Sequence, residues 1–177
     1  VKDVGQHFKK ALAFYQTAQT FNPNNGLLNF KIGVCYANSN DPFKSITYIK
    51  KALQLDPTCD PFLNYYLGYS LQLEGKYDEA LKAYTAFEAE YKKADDFSKF
   101  VTQRKKQCTT AKAFEAKPVR AWVDNVKSLN SANDDIAPSI STDGAEMIFS
   151  STRPNSHTAN EFGEYDYDIY ASTINES

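Results

Sequence analysis

The 177-residue chain is 42% hydrophobic and 14% aromatic, with a formal net charge of −2, so it can bury one sizeable core or two small ones. No apolar run approaches the roughly 20 residues that a membrane helix needs, which excludes a transmembrane segment within this sequence. The surface also lacks the concentrated basic stripe that nucleic-acid phosphates require, so we expect no nucleic-acid partner. Val1 stands where an initiator methionine would be, which indicates a processed or trimmed start.

The charge divides unevenly along the chain. Residues 1–116 hold 16 Lys and Arg against 12 Asp and Glu, whereas residues 117–177 hold 4 against 10. Hydrophobic periodicity changes at the same point, from helical spacing to the alternation of strands. The sequence therefore predicts a mainly α protein with two domains, a helical-repeat domain over 1–116 and a β-strand segment over 117–177.

The helical part repeats itself. Pro23 and Pro57 lie 34 residues apart, and each predicts the end of a helix because proline disfavours helical geometry in the residue before it. A repeat of 34 residues is typical of stacked helix pairs. The recurring positions, spaced by 34 and then 35 residues, are Ala11, Tyr15 and Ala18; Ser45, Ile49 and Ala52; and Ala80, Tyr84 and Phe87.

Small residues recur at fixed places in both helices of each pair. They let two helices approach closely while larger apolar residues fill the groove between them. The predicted repeat-packing residues are Ala11, Gly33, Ser45, Gly68 and Ala80.

The stretch NYYLGYSLQLEGKYDEALKAYTAF resembles a tetratricopeptide repeat. The resemblance covers two full repeats, residues 26–59 and 61 to about 94, preceded by the second helix of a third. Residues 97–116 keep the apolar spacing without a close-approach glycine, so we expect a solvated cap helix that Lys117 and Pro118 terminate.

Resemblance to this family implies a groove lined by the first helix of each pair. Phe, Val and Tyr stand at positions where relatives that bind a carboxylate use Lys, Asn and Arg, which favours an apolar or helical partner segment over a carboxylate. Intramolecular packing of Tyr65 and Tyr69, with the cap helix filling the groove, remains open as the alternative. The predicted partner-binding residues are Leu27, Phe30, Val34, Asn38, Phe62, Tyr65, Tyr69 and Gln72.

The last third of the chain predicts about four strands. The runs IAPSIS and AEMIFSS flank Asp143-Gly144, a dipeptide that suits a two-residue hairpin turn. AWVDNV, from Ala121 to Val126, reads as an extended stretch before the hairpin, and YDYDIYAST alternates its faces after it.

Four strands make one propeller blade, and the motifs here are similar to PD40, TolB-type WD40-like propellers. A single blade cannot bury both faces, so the resemblance implies a first blade with more to follow. The matching residues are Pro138, Ser141, Asp143, Gly144, Ile148, Phe149, Ser150, Ser151, Arg153, Asp168, Ile169 and Tyr170.

Repeats followed by such a blade resemble a family of the Bacteroidota that also carries an OmpA-type peptidoglycan-binding domain and includes type IX secretion components. The resemblance implies a periplasmic, outer-membrane-associated scaffold, with protein partners in an envelope complex. Peptidoglycan would be bound only by a C-terminal domain beyond residue 177.

The sequence contains few residues that suggest catalysis, metal binding or cofactor binding. No P-loop, nucleophile elbow or H-E-x-x-H occurs, and Cys35, Cys59 and Cys108 form no C-x-x-C pair. We expect no catalytic residue, no metal site and no cofactor, although one disulfide stays possible. Glu164, Asp166 and Asp168 are better explained as a solvated strand face than as calcium ligands.

The favoured function is a non-enzymatic protein–protein interaction scaffold of the bacterial envelope. The alternative is an intracellular tetratricopeptide adaptor, similar to a co-chaperone, with a small appended sheet. A third hypothesis, a propeller-borne hydrolase with the repeats as a docking arm, would need catalytic residues beyond this sequence.

Overall fold

A computed structural model describes residues 2–154, 159–160, 163 and 165–173, with side chains from residue 7 onward. The chain divides into two compact units, Val1–Val119 and Arg120–Ser177. The first is helical and the second contains a small antiparallel sheet, so the predicted fold class is confirmed.

The helical unit is a row of helices in which each packs against the next along the chain. A 3-10 turn over Pro42–Lys44 leads directly into the third helix. Pro42 is the first residue of this turn, a position where proline is tolerated because its missing N–H would have no partner there. The helices are α1 (Lys2–Phe21), α2 (Gly26–Ala37), α3 (Ser45–Leu55), α4 (Leu63–Leu73), α5 (Tyr77–Glu90) and α6 (Asp96–Glu115).

Local chemistry explains the helix ends. α1 and α3 stop two residues before Pro23 and Pro57, as the prolines predict. The Asn25 side chain accepts the backbone N–H of Leu28 at 2.8 Å and so caps α2. Asp95 caps α6 in the same way, and hydrogen bonds from the Tyr91 hydroxyl and from the capped backbone hold its carboxyl pKa below the usual range.

Glycines set the closest helix crossings. A Cβ on Gly33 would lie 2.6 Å from Ile49 Cδ1, and a Cβ on Gly68 would lie 2.8 Å from the Tyr84 ring. Side-chain carbons do not approach so closely, so α2 meets α3, and α4 meets α5, at distances that only glycine allows. Both contacts recur at the same repeat position.

The remaining predicted packing residues are also small. Ala80 and Ser45 are fully buried, and Ser45 Oγ lies 2.8 Å from Ser70 Oγ, which satisfies two hydroxyls inside the stack. Ala11 on α1 is only half-buried.

Two apolar clusters fill the stack. One lies between α2, α3 and the start of α4, around Phe30, Ile49 and Leu63. The other joins α4, α5 and α6 around Tyr84 and Phe87. The second is richly aromatic, so ring packing holds α6 onto the repeats.

The described residues of the second unit contain three strands, β1 (Asp135–Ile140), β2 (Glu146–Ser151) and β3 (Asp168–Thr173). They pair antiparallel in the order β1-β2-β3, with Phe149 opposite Tyr170. The β1–β2 ladder shifts register between Ile136 and Ser139, where Ala137 has a φ of 53° beside Pro138, which cannot donate a ladder bond.

Two details of the predicted sheet were wrong. The hairpin turn spans four residues, 142–145, between Ser141 and Glu146, and only Gly144 has positive φ (75°). The Ser141 hydroxyl and the Asp143 carboxylate close this turn by bonding each other and the backbone, which a two-residue turn would not permit. Residues 121–126 form no strand, since no partner strand pairs with them in the described part of the chain.

The predicted alternation before Asp168 is also incomplete. β3 begins at Asp168, and Tyr165 to Tyr167 precede it outside the strand. Glu164, one of the acidic residues considered for calcium, lies outside the described residues.

Arg153 organises one face of the sheet. Its guanidinium carbon lies 5.1 Å from the Phe149 ring centre and 4.7 Å from that of Tyr170. The same guanidinium donates to Asp135 and to the Leu129 carbonyl, both at 2.7 Å. An aromatic and ionic clasp thus joins the two outer strands across β2.

Candidate functional site

The first helices of the pairs form a continuous row. α2 contacts α4, and α4 contacts α6, whereas α1, α3 and α5 do not contact one another within the described residues. Helices that are closer together on one side of a stack define its inner side. The predicted groove residues therefore belong to the inner row, the side on which a partner segment could contact several repeats at once.

On α2 and its C-cap Asn38, three of the four predicted groove residues reach the surface. Leu27 is 40% exposed, Asn38 is exposed and Val34 is half-buried. Phe30 is different, because it is 5% exposed and packs edge-on against Tyr66 with ring centres 5.7 Å apart. Phe30 is thus a core residue beneath the groove and offers little surface to a partner.

On α4, the predicted residues divide in the same way. Tyr65 is 8% exposed, and its ring centre lies 5.0 Å from that of Phe97 on α6. Phe62 is half-buried in the same aromatic cluster. Tyr69 and Gln72 are half-buried, so they remain partly accessible at the surface. The alternative of intramolecular packing thus describes Tyr65, where α6 covers the ring.

Arg104 on α6 was not among the predicted groove residues. Its guanidinium carbon lies 4.7 Å from the Tyr69 ring centre and 4.8 Å from that of Phe100. Its Nε is buried without a hydrogen-bond partner, and no ion pair joins it to a carboxylate within the described residues. A fixed cation therefore lies against the aromatic end of the groove. The signal in the sequence is an arginine at an apolar position of the cap helix, three residues after Val101.

The polar groups of the groove are neutral apart from Arg104. Burial raises the pKa of the Tyr65 and Tyr84 hydroxyls, and the nearby Arg104 opposes this shift only in part. Both tyrosines are therefore protonated at neutral pH. The Tyr84 hydroxyl donates to Gln72 Oε1 at 2.8 Å, which fixes the side chain that borders the groove. Such a surface suits apolar side chains together with hydrogen-bonding or acidic groups.

No further reactive group emerges from the described residues. Cys35, Cys59 and Cys108 are free thiols, and burial raises the pKa of each, which lowers its reactivity. The described residues contain no cluster of metal-ligating side chains. Among them, no helix is long and apolar enough to cross a membrane.

Comparison with known proteins identifies one part of the chain. Residues 28–59 match the tetratricopeptide repeat family, and this range covers α2 from its third residue, the 3-10 turn and α3. No curated protein matches the chain. The matched range agrees with the first predicted repeat, residues 26–59. The helical unit thus contains a tetratricopeptide repeat, a module that typically serves protein–protein interaction.

Proposed function

We propose that this protein is a non-enzymatic scaffold that binds an apolar, extended or helical segment of a partner protein along its inner row. The observation that carries the proposal is an accessible strip on two helices that contact each other. It is formed by Leu27 and Val34 on α2, Asn38 at the C-cap of α2, and Tyr69 on α4. Aliphatic and aromatic side chains supply binding area, and the neighbouring amide and hydroxyl groups supply orientation.

Arg104 adds a directional element to this surface. Its guanidinium carbon lies within 4.8 Å of the ring centres of Tyr69 and Phe100; these contacts restrict the side chain, so we expect little side-chain entropy to be lost when it binds an anion. We expect a partner segment whose apolar residues lie on α2 and α4 and whose acidic or carbonyl oxygen reaches Arg104. A guanidinium placed against aromatic rings makes this surface different from a multi-lysine carboxylate site.

Photo-crosslinking tests the inner row directly. A photoreactive amino acid at Asn38, which is exposed at the C-cap of α2, should capture a protein partner in cells of the source organism. The matched control is Lys82, exposed on the outer helix α5. Adducts at Asn38 that are absent at Lys82 support the proposal, and adducts at Asn38 should weaken when Leu27 is changed to Asp. Equal capture at both positions, or none at Asn38, would contradict it.

We further propose that the sheet is the first blade of a propeller in an envelope-associated assembly. Ile136, Ile148 and Ile169 are 45%, 50% and 80% exposed, and the strand register places them on the same sheet face. An apolar sheet face of this kind suits coverage by a neighbouring blade. The S-x-D-G turn and the Arg153 clasp support the blade motif, because both give its residues structural roles.

Periplasmic location and a role in type IX secretion rest on the resemblance of repeat order and blade motif alone. The parent reading frame tests both. A secretory signal upstream, with further blades and an OmpA-type domain downstream, would support them. A frame without these features would overturn the envelope proposal and leave the protein-binding proposal intact.

A further inference from the structure

Two sides of α6 differ in how their positive charges are balanced. On the side that faces α5, Lys105 pairs with Glu88 at 2.7 Å, and Lys112 pairs with Asp78. On the side that faces α4, Arg104 forms no ion pair within the described residues. Acidic residues of α5 therefore neutralise the lysines that face them, whereas the arginine on the inner row has no such partner.

The helices of the inner row supply no counter-ion for Arg104. α2 and α4 together contain one charged residue, Lys31, and no carboxylate. Lys31 is directed towards α1, where its ammonium lies 5.7 Å from the centre of the Tyr15 ring. Because Arg104 is half-buried, a neutral carbonyl would satisfy its N–H groups but leave its charge uncompensated. A carboxylate from a partner satisfies both.

A chain of hydrogen bonds orients Gln107, which lies one turn after Arg104. The Tyr84 hydroxyl donates to Gln72 Oε1 at 2.8 Å, and Gln72 Nε2 donates to Gln107 Oε1 at 3.4 Å. Each amide in this arrangement accepts through its oxygen and donates through its nitrogen. The chain therefore ends on the exposed Gln107 Nε2, which donates to no other group within the described residues.

Arg104 and Gln107 present their donors on the same face of α6. Phe100, Arg104 and Gln107 are spaced by four and then three residues, which places their side chains in one row along the helix. The guanidinium and amide N–H groups match the two oxygens of a carboxylate. The rings of Tyr69 and Phe100 beside the guanidinium limit the access of water, which strengthens such a contact.

We propose that Arg104 and Gln107 bind the side-chain carboxylate of an Asp or Glu within the apolar segment of the partner. The inference rests on the proposed function, because it assigns the partner chemistry at one end of the same inner row. Apolar surface lies on both sides of the guanidinium, with Tyr69 on α4 and Phe100, 38% exposed, on α6. A segment that crosses Arg104 thus makes apolar contacts before and after its acidic residue, as an internal residue requires.

Peptide selection tests this chemistry. A phage-displayed library of random peptides, selected on the 177-residue chain, should yield apolar sequences enriched in Asp or Glu at one position. Peptides count as ligands of the inner row when Leu27→Asp abolishes their binding. Selection on Arg104→Gln should yield apolar sequences without the acidic enrichment. The matched control is Lys106→Gln, which removes a charge from an exposed position of α6 that does not share the face of Arg104 and should keep the enrichment.

Calorimetric titration then measures the contact in a selected peptide synthesised with blocked termini. Changing its acidic residue to the corresponding amide should lower the affinity about 10- to 100-fold, as expected for hydrogen bonds to a charged group. Arg104→Gln should cause a similar loss, and the two changes together should cost little more than either alone. Gln107→Ala, at an exposed position outside the aromatic cluster, should weaken binding about 3- to 10-fold without affecting the fold.

The outcomes separate this inference from the proposed function. Inner-row peptides without acidic enrichment, or equal affinities of the acidic and amide peptides, would overturn the inference and leave the scaffold proposal intact. Binding that requires an unblocked C-terminus would also overturn it, because the site would then take a chain end. Failure to select any peptide sensitive to Leu27→Asp would overturn both.

Discussion

The helical unit and the sheet unit are stabilised by different interactions. In the helical unit, rings and aliphatic side chains such as Tyr84, Phe87 and Ile49 are at most 1% exposed. In the described part of the sheet unit, only Phe149 and Ser151 are buried. Helix packing is therefore mainly apolar, whereas the sheet depends on an arginine clasp and polar turns. We therefore expect the stability of the helical unit to vary little with pH and the stability of the sheet to vary strongly.

Removing a core ring should give the largest effect. Phe87→Ala deletes a 1% exposed ring that contacts Phe62, Tyr65, Tyr91 and Phe97. We expect the free energy of unfolding of the helical unit to fall by about 3 to 5 kcal/mol, measured by chemical denaturation. Phe114→Ala, at an exposed position of α6, should change it by less than about 0.5 kcal/mol. Similar losses from both would show that ring burial does not dominate this unit.

Filling a helix crossing should give a smaller loss. Gly68→Leu places a side chain where even a Cβ lies 2.8 Å from Tyr84, and we expect a cost of about 1 to 3 kcal/mol. Ala86→Leu adds a similar side chain at an exposed position of the facing helix α5 and serves as the control. An unchanged melting temperature for Gly68→Leu would mean that α4 and α5 can separate without penalty.

Acid should weaken the sheet by a smaller, pH-dependent amount. Hydrogen bonds from the Ser131 backbone, Ser151 and Arg153 hold the pKa of Asp135 well below its usual range. A depressed folded-state pKa stabilises the fold above the unfolded value of about 3.9 and loses that stability as the pH falls through the folded value. The amide signals of Phe149 and Tyr170 should therefore lose dispersion below about pH 4.

Asp135→Asn isolates the contribution of this carboxylate. The variant should have a less stable sheet at neutral pH, because the charged partner of Arg153 is lost. Its acid transition should be smaller but still present, because Asp143 in the turn, whose pKa is also lowered, remains. Superimposable acid profiles of the two proteins would exclude the Asp135–Arg153 clasp as the pH-sensitive element.

The helical unit was more predictable from sequence than the sheet unit. Its 34-residue spacing and its glycines predict repeated close contacts, and a Cβ on Gly33 or Gly68 would indeed lie within 2.8 Å of the facing helix. The four-residue turn could not be assigned, because Asp143-Gly144 suits several turn types and side-chain bonds from Ser141 choose among them. The AWVDNV stretch has strand composition, yet strand formation requires a pairing partner.

The sequence predicted which positions face the groove, but not which of them are accessible to a partner. Helical spacing placed the predicted residues on the first helices, but it could not separate Tyr65, covered by Phe97, from Tyr69, which stacks under Arg104. That distinction depends on how α6 crosses α4, which is a tertiary contact between residues far apart in sequence. The assignment of all eight groove residues to partner binding stays a prediction.

The contact pattern of the helical unit also has a mechanical consequence. Within the described residues α2, α4 and α6 touch whereas α1, α3 and α5 do not, so we expect the stack to bend about its inner row, with the spacing between outer helices changing most. Bending about that row changes the curvature of the stack while its glycine crossings within each helix pair stay intact. Under tension, we therefore expect the helical unit to change its curvature before the two helices of any one pair separate.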